Sequence, residues 1–261
     1  MDLNLKNKNA LVCGSSKGIG KAAAIELARL GANVTLVART AAILSDMVQS
    51  LDTTKGQRHD FLQADFTHSA DLKKKIKGLT LQKPIHILVN NTGGPPGGPI
   101  TEALTSQFEQ AFHNHLICSH LLTQSVLPGM KNAGYGRIIN IISTSVKQPI
   151  DGLGVSNTVR AAMANWAKTL ATEVGPFGIT VNNVLPGFTK TDRLTEIIQA
   201  RADRTGEPKE AIIASMVSEV PAGRFAAPAE VGGVIAFLAA PAAAYISGTN
   251  IVIDGGRTKS L

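Results

Sequence analysis

Apolar residues along the chain fall into short unbroken runs that alternate with longer segments of helical spacing. Seven runs read as strands: residues 9–14, 33–39, 59–65, 86–91, 137–143, 179–186 and 250–254. Most are rich in Val, Ile and Leu with little polar alternation, the pattern of strands covered on both faces of a parallel sheet. Between them, residues 18–30, 106–130, 157–174 and 229–239 carry apolar positions at helical spacing, and "DLKKKIKG" at 71–78 reads as the solvated side of a further helix. Gly31 follows the first helix as a stop, and Pro228 precedes the last as a normal start. Strand–helix alternation throughout predicts the α/β class. The chain reads as a single domain over residues 1–261, a doubly wound parallel sheet of Rossmann type flanked by helices on both faces. Residues 191–221 break the pattern. They are polar, contain Gly206 and Pro208, and read as two short helices outside the sheet, either a substrate lid or a passive surface element.

Composition narrows the reading. The chain is 44% hydrophobic and 17% charged, which fits a globular protein and not a disordered one. Its net charge is +7, but no five like charges run together. The excess therefore suits a phosphate-bearing small ligand better than nucleic acid. No stretch approaches the ~18 apolar residues needed to cross a bilayer. The first residues also lack a signal peptide's apolar run, so no membrane partner is expected. Cys13 and Cys118 lie in apolar segments and read as buried free thiols, which implies a reducing, cytoplasmic setting. No metal ligands are assigned.

"GSSKGIG", from Gly14 to Gly20, follows the first strand and opens the first helix. Glycines there let the backbone turn sharply and approach a pyrophosphate, and the helix N-terminus supplies unpaired N–H groups. Gly14, Ser16, Lys17, Gly18, Ile19 and Gly20 are thus candidate cofactor contacts; the alternative is a tight packing turn without ligand. A chain selecting NAD places an acid after the second strand, and here Arg39 stands there instead. Its guanidinium, with Lys17 nearby, suits a 2′-phosphate and points to NADP(H), unless both side chains simply face solvent.

Together with "LVNNTGG", "GRIINIIS", "TVNNVLPGFTKTD" and "VPAGRFAAPAEVGGVIAFLAA", the glycine stretch resembles the short-chain dehydrogenase/reductase family over essentially the whole chain. Within that family the chain is most similar to the bacterial 3-oxoacyl-thioester reductase branch. The resemblance implies hydride transfer between a nicotinamide and a small carbonyl or alcohol substrate. It also implies a homo-oligomer, dimer or tetramer, paired through the helices at 106–130 and 157–174. By the same resemblance Asp65 and Phe66 border the adenine, while Asn91, Thr92 and Gly93 line the adenosine ribose. Pro186, Gly187, Thr189 and Thr191 would wrap the nicotinamide and pyrophosphate. Thr92 stands where alanine is usual, and "GGPPGGP" at 93–99 departs further, stiffened by Pro95, Pro96 and Pro99.

The family's catalytic set is Asn, Ser, Tyr and Lys. Ser143 fits the serine. The tyrosine position, thirteen residues on, holds Ser156; the lysine position, four further, holds Arg160; the asparagine position holds His115. Ser156 and Arg160 share one helix face. A serine hydroxyl lies too near its backbone to reach where a phenol would. Arg160 stays protonated, so it can hold ribose and stabilise negative charge but cannot relay protons. Three proton sources stay open: His115, Lys147, and a water chain through Ser143 and Ser156. The sequence supports an NADP-dependent oxidoreductase, with a catalytically silent NADP-binding sensor or partner subunit as the alternative. Replacement by Ser, Arg and His, with Ser143 kept, favours the enzyme, since a dead site need not stay polar.

Overall fold

The apolar runs become strands, the inner five covered on both sides and the two outermost partly exposed. They are β1 (Asn9–Cys13), β2 (Asn33–Ala38), β3 (Asp60–Gln63), β4 (Ile87–Asn90), β5 (Gly136–Ile141), β6 (Ile179–Pro186) and β7 (Asn250–Ile253). The computed structural model describes residues 1–260. In it the strands form one parallel sheet in the order β3-β2-β1-β4-β5-β6-β7. The order reverses between β1 and β4, so a crevice opens beyond their carboxyl ends, where ligands of such sheets sit.

Helices α1 (Gly18–Arg29), α2 (Ala41–Ser50) and α9 (Pro228–Ala239) cover one face; α3 (Ser69–Gln82), α5 (Cys118–Ala133) and α6 (Gly154–Val174) cover the other. The sequence pattern did not single out α2, because it buries only Leu44 and Met47 and so carries a weak apolar stripe. α1 and α9 approach so closely that a Cβ on Gly232 would lie 2.8 Å from the Ala22 carbonyl carbon.

Two helices differ from the sequence expectation. The segment expected as one helix over 106–130 is α4 (Thr105–Phe112), a π-helical turn (His113–Ile117) and then α5. π turns insert one residue into the helical register and recur at functional sites. α6 starts at Gly154, three residues before the expected 157, where a Cβ would come within 2.5 Å of Ile100. The small residue lets the helix begin against that side chain, and "GVSNTVR" is therefore helical throughout. Residues 191–221 do form two helices outside the sheet, α7 (Asp192–Thr205) and α8 (Lys209–Ser218). Leu194, Ile198, Ile212, Met216 and Phe225 give them an apolar core of their own.

A feature of the sheet that no motif announced is a ladder of four asparagines. Asn90, Asn140, Asn183 and Asn250 are paired in register across β4, β5, β6 and β7. Each side-chain amide donates to the next side-chain carbonyl: Asn90 to Asn140 at 2.8 Å, Asn140 to Asn183 at 2.9 Å, Asn183 to Asn250 at 2.8 Å. Asn140 is fully buried. Removing it leaves a donor on Asn90 and an acceptor on Asn183 without partners in the core. Asn140→Ala should therefore lower the unfolding free energy by about 2–5 kcal/mol, since each orphaned buried polar group costs roughly 1–3 kcal/mol. A urea titration measures it; a loss below about 1 kcal/mol would show that the ladder carries no weight.

Candidate active site

The glycine turn lies between the ends of β1 and β4. Gly14 and Gly20 must lack a Cβ: one on Gly20 would sit 2.3 Å from the Gly14 carbonyl oxygen, and one on Gly14 2.7 Å from Asn91 Nδ2. Asn91 donates to the carbonyls of Cys13 (3.3 Å) and Gly14 (3.1 Å), so its side chain holds the turn itself. Ser15, which the sequence reading passed over, is buried and accepts from the Val37 N–H at 2.9 Å, tying the turn to β2. Ser16 and Ile19 are half-buried on the turn, and Lys17 is exposed. Gly18, at φ +57, faces Thr191, whose Cγ2 would be 3.2 Å from an added Cβ. The first turn of α1 has neither a capping side chain nor an acid, so its N–H groups stay open to an anion.

Arg39 is exposed at the end of β2, with no acid in that place. Lys17 is paired with Asp192 of α7 at 2.8 Å, which raises the lysine's pKa. Asp65 accepts from the Thr67 N–H and hydroxyl, both at 2.9 Å; the backbone bond leads in lowering its pKa. Its carboxylate thus closes its own turn, with Phe66 half-buried beside it. Pro186, Gly187, Thr189 and Thr191 follow β6. This turn is laced to residues 225–226 by Lys190 N–H to Ala226 O (2.9 Å) and Ala226 N–H to Phe188 O (2.9 Å). Gly187 passes so near Asp254 that a Cβ would lie 2.6 Å from that residue's Cβ.

Beyond the crevice the structure brings Thr92, His115, Ser143, Ser156 and Arg160 to one end of the sheet. Ser143 lies two residues beyond β5 and accepts from the Ser145 N–H at 3.1 Å, which leaves its own O–H to donate. Ser156 is half-buried in the first turn of α6, and Arg160 lies one turn later. Arg160 is buried; its Nη1 donates to the Ile141 carbonyl at 2.9 Å, and its Nε is buried without a partner. Burial, then the charge of Arg193, brings the guanidinium down to about 10, so it is still a cation at neutral pH. His115 sits in the π turn, 3% exposed, with Nδ1 hydrogen-bonded to the Thr92 hydroxyl. Burial first, and then Arg160, push its pKa down to about 2.

A slot of about 10 Å³, room for roughly one water, is lined by Asn90, Thr92, His115, Ser119, Arg160 and Met163 among others. Asn90 Oδ1, the open end of the asparagine ladder, is also buried without a partner. On its other side His115 borders a cavity of about 430 Å³ with Gly93, Gly94, Pro96, Gln107, Gln110 and Asn114. The Gly93–Pro99 loop is held from two directions: Gly98 N–H donates to Gly152 O at 2.7 Å, and Arg193 Nη2 to Pro95 O at 2.7 Å. Lys147 is half-buried at the end of the 3₁₀ turn Thr144–Val146 that follows Ser143. The two tyrosines lie elsewhere: Tyr135 donates to the Ala239 carbonyl, and Tyr245 is fully exposed.

Comparison with known proteins places this geometry. The profile of a family described as enoyl-(acyl carrier protein) reductase matches residues 14–258. Cyclohexanol dehydrogenase of Rhodococcus sp. (strain TK6) is 31% identical over 278 residues, covering 99% of both chains. The 3-oxoacyl-(acyl-carrier-protein) reductase of Vibrio cholerae is 33% identical over 258 residues, covering 97% of this chain and 98% of the other. The chain belongs to the short-chain dehydrogenase/reductase family. Among solved members, L-sorbose reductase from Gluconobacter frateurii, complexed with NADPH and L-sorbose, superposes with a TM-score of 0.93 at 31% identity over 100% of both chains. Actinorhodin polyketide ketoreductase with NADPH gives 0.90 at 28% identity over 97% of each.

Burial keeps both thiols protonated, Cys13 well above its ordinary value and Cys118 up to about 11, so neither is a nucleophile. Sequence reasoning missed Arg193 and the Thr92–His115 pair. Both contacts join residues far apart in the chain, at 98 and 23 positions, and no local spacing signals them. His115 also leaves a trace in stability. Its folded pKa lies below its unfolded one, so the unfolded chain takes up the proton first. The stability it contributes is complete above about pH 6.5 and falls as pH drops, by up to about 1.4 kcal/mol per unit. Urea unfolding between pH 7 and 4.5 should show this extra slope in wild type and its loss in His115→Asn; parallel curves would mean the imidazole is not held neutral.

Proposed function

We propose that the protein is an NADP(H)-dependent oxidoreductase acting on a small carbonyl or alcohol compound, with Ser143, Ser156, Arg160 and His115 as its reacting-end residues. The observation that carries this reading is the convergence of Ser143, the buried cation Arg160 and neutral His115 beyond a glycine turn built for a dinucleotide. The solved relatives named above carry NADPH. The residues here fit that cofactor: the open α1 N-terminus for the pyrophosphate, the turn at Pro186–Thr191 for the nicotinamide half, and exposed Arg39 for the 2′-phosphate.

When bound, the nicotinamide supplies or accepts the hydride. Ser143 donates its O–H to the reacting oxygen, because its lone pair is engaged by Ser145. Arg160, buried and fixed by the Ile141 carbonyl, stabilises negative charge on that oxygen. Ser156 reaches the oxygen through a water, and this water chain carries the proton that balances the hydride, to the alkoxide in reduction and to solvent in oxidation. Residues 191–221 act as a lid whose first turn carries the contacts from Asp192 to Lys17 and from Arg193 to Pro95. The helices α4, α5 and α6 supply the surfaces for assembly as a dimer or tetramer.

A second reading, a cofactor-binding sensor or partner subunit without turnover, draws on one observation. Neither His115 nor Arg160 changes charge near neutral pH, and neither tyrosine reaches the site.

Three measurements test this assignment, and the turnover screen separates the two readings. Cofactor titration should give tighter binding of NADP(H) than NAD(H) by roughly tenfold or more, the value of one charged hydrogen bond. Arg39→Asp should abolish that preference; equal wild-type affinities would remove the 2′-phosphate assignment. In a screen of carbonyls and alcohols, Ser143→Ala should lower kcat by about 100-fold, as loss of an oxyanion donor does, with cofactor affinity unchanged. Turnover absent on every compound in wild type, but present in Ser156→Tyr/Arg160→Lys, would establish the silent reading. Hydrogen exchange in 191–221 should slow when cofactor and substrate bind together; unchanged exchange would leave the segment a surface element.

A further inference from the structure

We propose that Thr92 is a positioning residue that fixes His115 in the Nε2–H tautomer, making the neutral imidazole a hydrogen-bond donor to the reacting oxygen. This deepens the oxidoreductase reading and rests on it for the identity of the oxygen. Thr92 follows β4 two residues beyond Asn90, and His115 lies 23 residues later in the π turn between α4 and α5. The structure joins them through the Thr92 hydroxyl and Nδ1. Thr92 and His115 thus form one hydrogen-bonded unit.

The surroundings decide what that unit does. A buried imidazole beside a buried guanidinium stays neutral and carries one N–H. In a neutral imidazole the bond made by one nitrogen sets the state of the other. A hydroxyl donating to Nδ1 leaves the proton on Nε2. The adjoining slot contains a complementary group, the buried Asn90 Oδ1, an acceptor without a partner. The other orphan there is the Arg160 Nε donor, so the slot holds one unmet acceptor and one unmet donor. A neutral imidazole N–H can polarise a carbonyl without itself changing charge, and a depressed pKa is what keeps it available at neutral pH. In that role His115 transfers no proton; it lends a directed dipole to an oxygen that Ser143 and Arg160 also engage.

The test is imidazole ¹⁵N NMR on the ligand-free protein, in wild type, Thr92→Ser and Thr92→Val, from pH 5 to 8. Wild type should show His115 with a protonated Nε2 and a bare Nδ1 at every pH. Thr92→Ser should keep that signature, and Thr92→Val should give a mixture of tautomers. A protonated Nδ1 in wild type, or a signature unchanged in Thr92→Val, overturns the assignment. The wild-type spectrum alone can overturn it if the valine variant does not fold. With a substrate in hand, Thr92→Val should lower kcat by roughly tenfold with little change in KM, as loss of an interaction made in the transition state does, and serine should restore it. If Nε2–H is found but no compound turns over, the tautomer stands and the oxygen-donor role, with the oxidoreductase reading, falls.

Discussion

The asparagine ladder is the constraint on which the working end of this molecule depends. Asn90, Asn140, Asn183 and Asn250 lock four neighbouring strands in one register, and the loops after β4, β5 and β6 that carry Thr92, Ser143 and Gly187 leave the sheet just beyond them. Thr92 follows Asn90 by two residues, Ser143 follows Asn140 by three, Gly187 follows Asn183 by four, and Asp254, against which Gly187 packs, follows Asn250 by four. A one-residue slip of any of these strands would turn its side chains to the other face. It would also break one side-chain hydrogen bond for β4 or β7 and two for β5 or β6. Apolar side chains alone would hold the strands together but specify their register less sharply.

The ladder ends where the chemistry is proposed to begin. Its terminal oxygen, on Asn90, and the Arg160 Nε are both buried and both unpartnered. Unmet polar groups in a packed interior are costly, and functional sites are where such costs persist. Arg160 has no carboxylate partner; its anchor is a backbone carbonyl, and the second-largest influence on it is another cation, Arg193. A site with this character favours negative charge on the reacting oxygen through a fixed field, and the proton that completes an alcohol would come from water rather than from His115 or Arg160. That is a coherent physical alternative to a phenol–ammonium pair, whose operation depends on a shifted acid.

How far the sequence could reveal all this follows from the range of each signal. Strands such as β5 and β6 were legible because burial on both faces leaves nearly continuous Ile and Val. The glycine turn was legible because Gly14 and Gly20 obey a local backbone constraint. α2 was faint, with two buried residues. The start of α6 was misplaced because it is set by Ile100, more than fifty residues away in the chain. Ser143, Ser156, Arg160 and His115 were found by position, yet position could not say that His115 is held neutral or that Arg160 lies on the Ile141 carbonyl. Those are properties of the packed interior. The asparagines were visible as polar residues within the strand runs, and only the register of the sheet turns them into a ladder.

The same argument bears on Lys17 and Arg39, read together as a 2′-phosphate site. In the ligand-free structure Lys17 is engaged by Asp192, at the first residue of α7. The pair is solvent-exposed on both sides, so it contributes little and exchanges readily. A phosphate seated at Arg39 would compete with Asp192 for the lysine, and a doubly charged anion has the advantage over a single carboxylate. Releasing Asp192 loosens the first turn of α7, whose next residue, Arg193, grips the Pro95 carbonyl over the site. Under the proposed assignment, a phosphate at Arg39 would bear on the 191–221 segment through two adjacent residues of one helix.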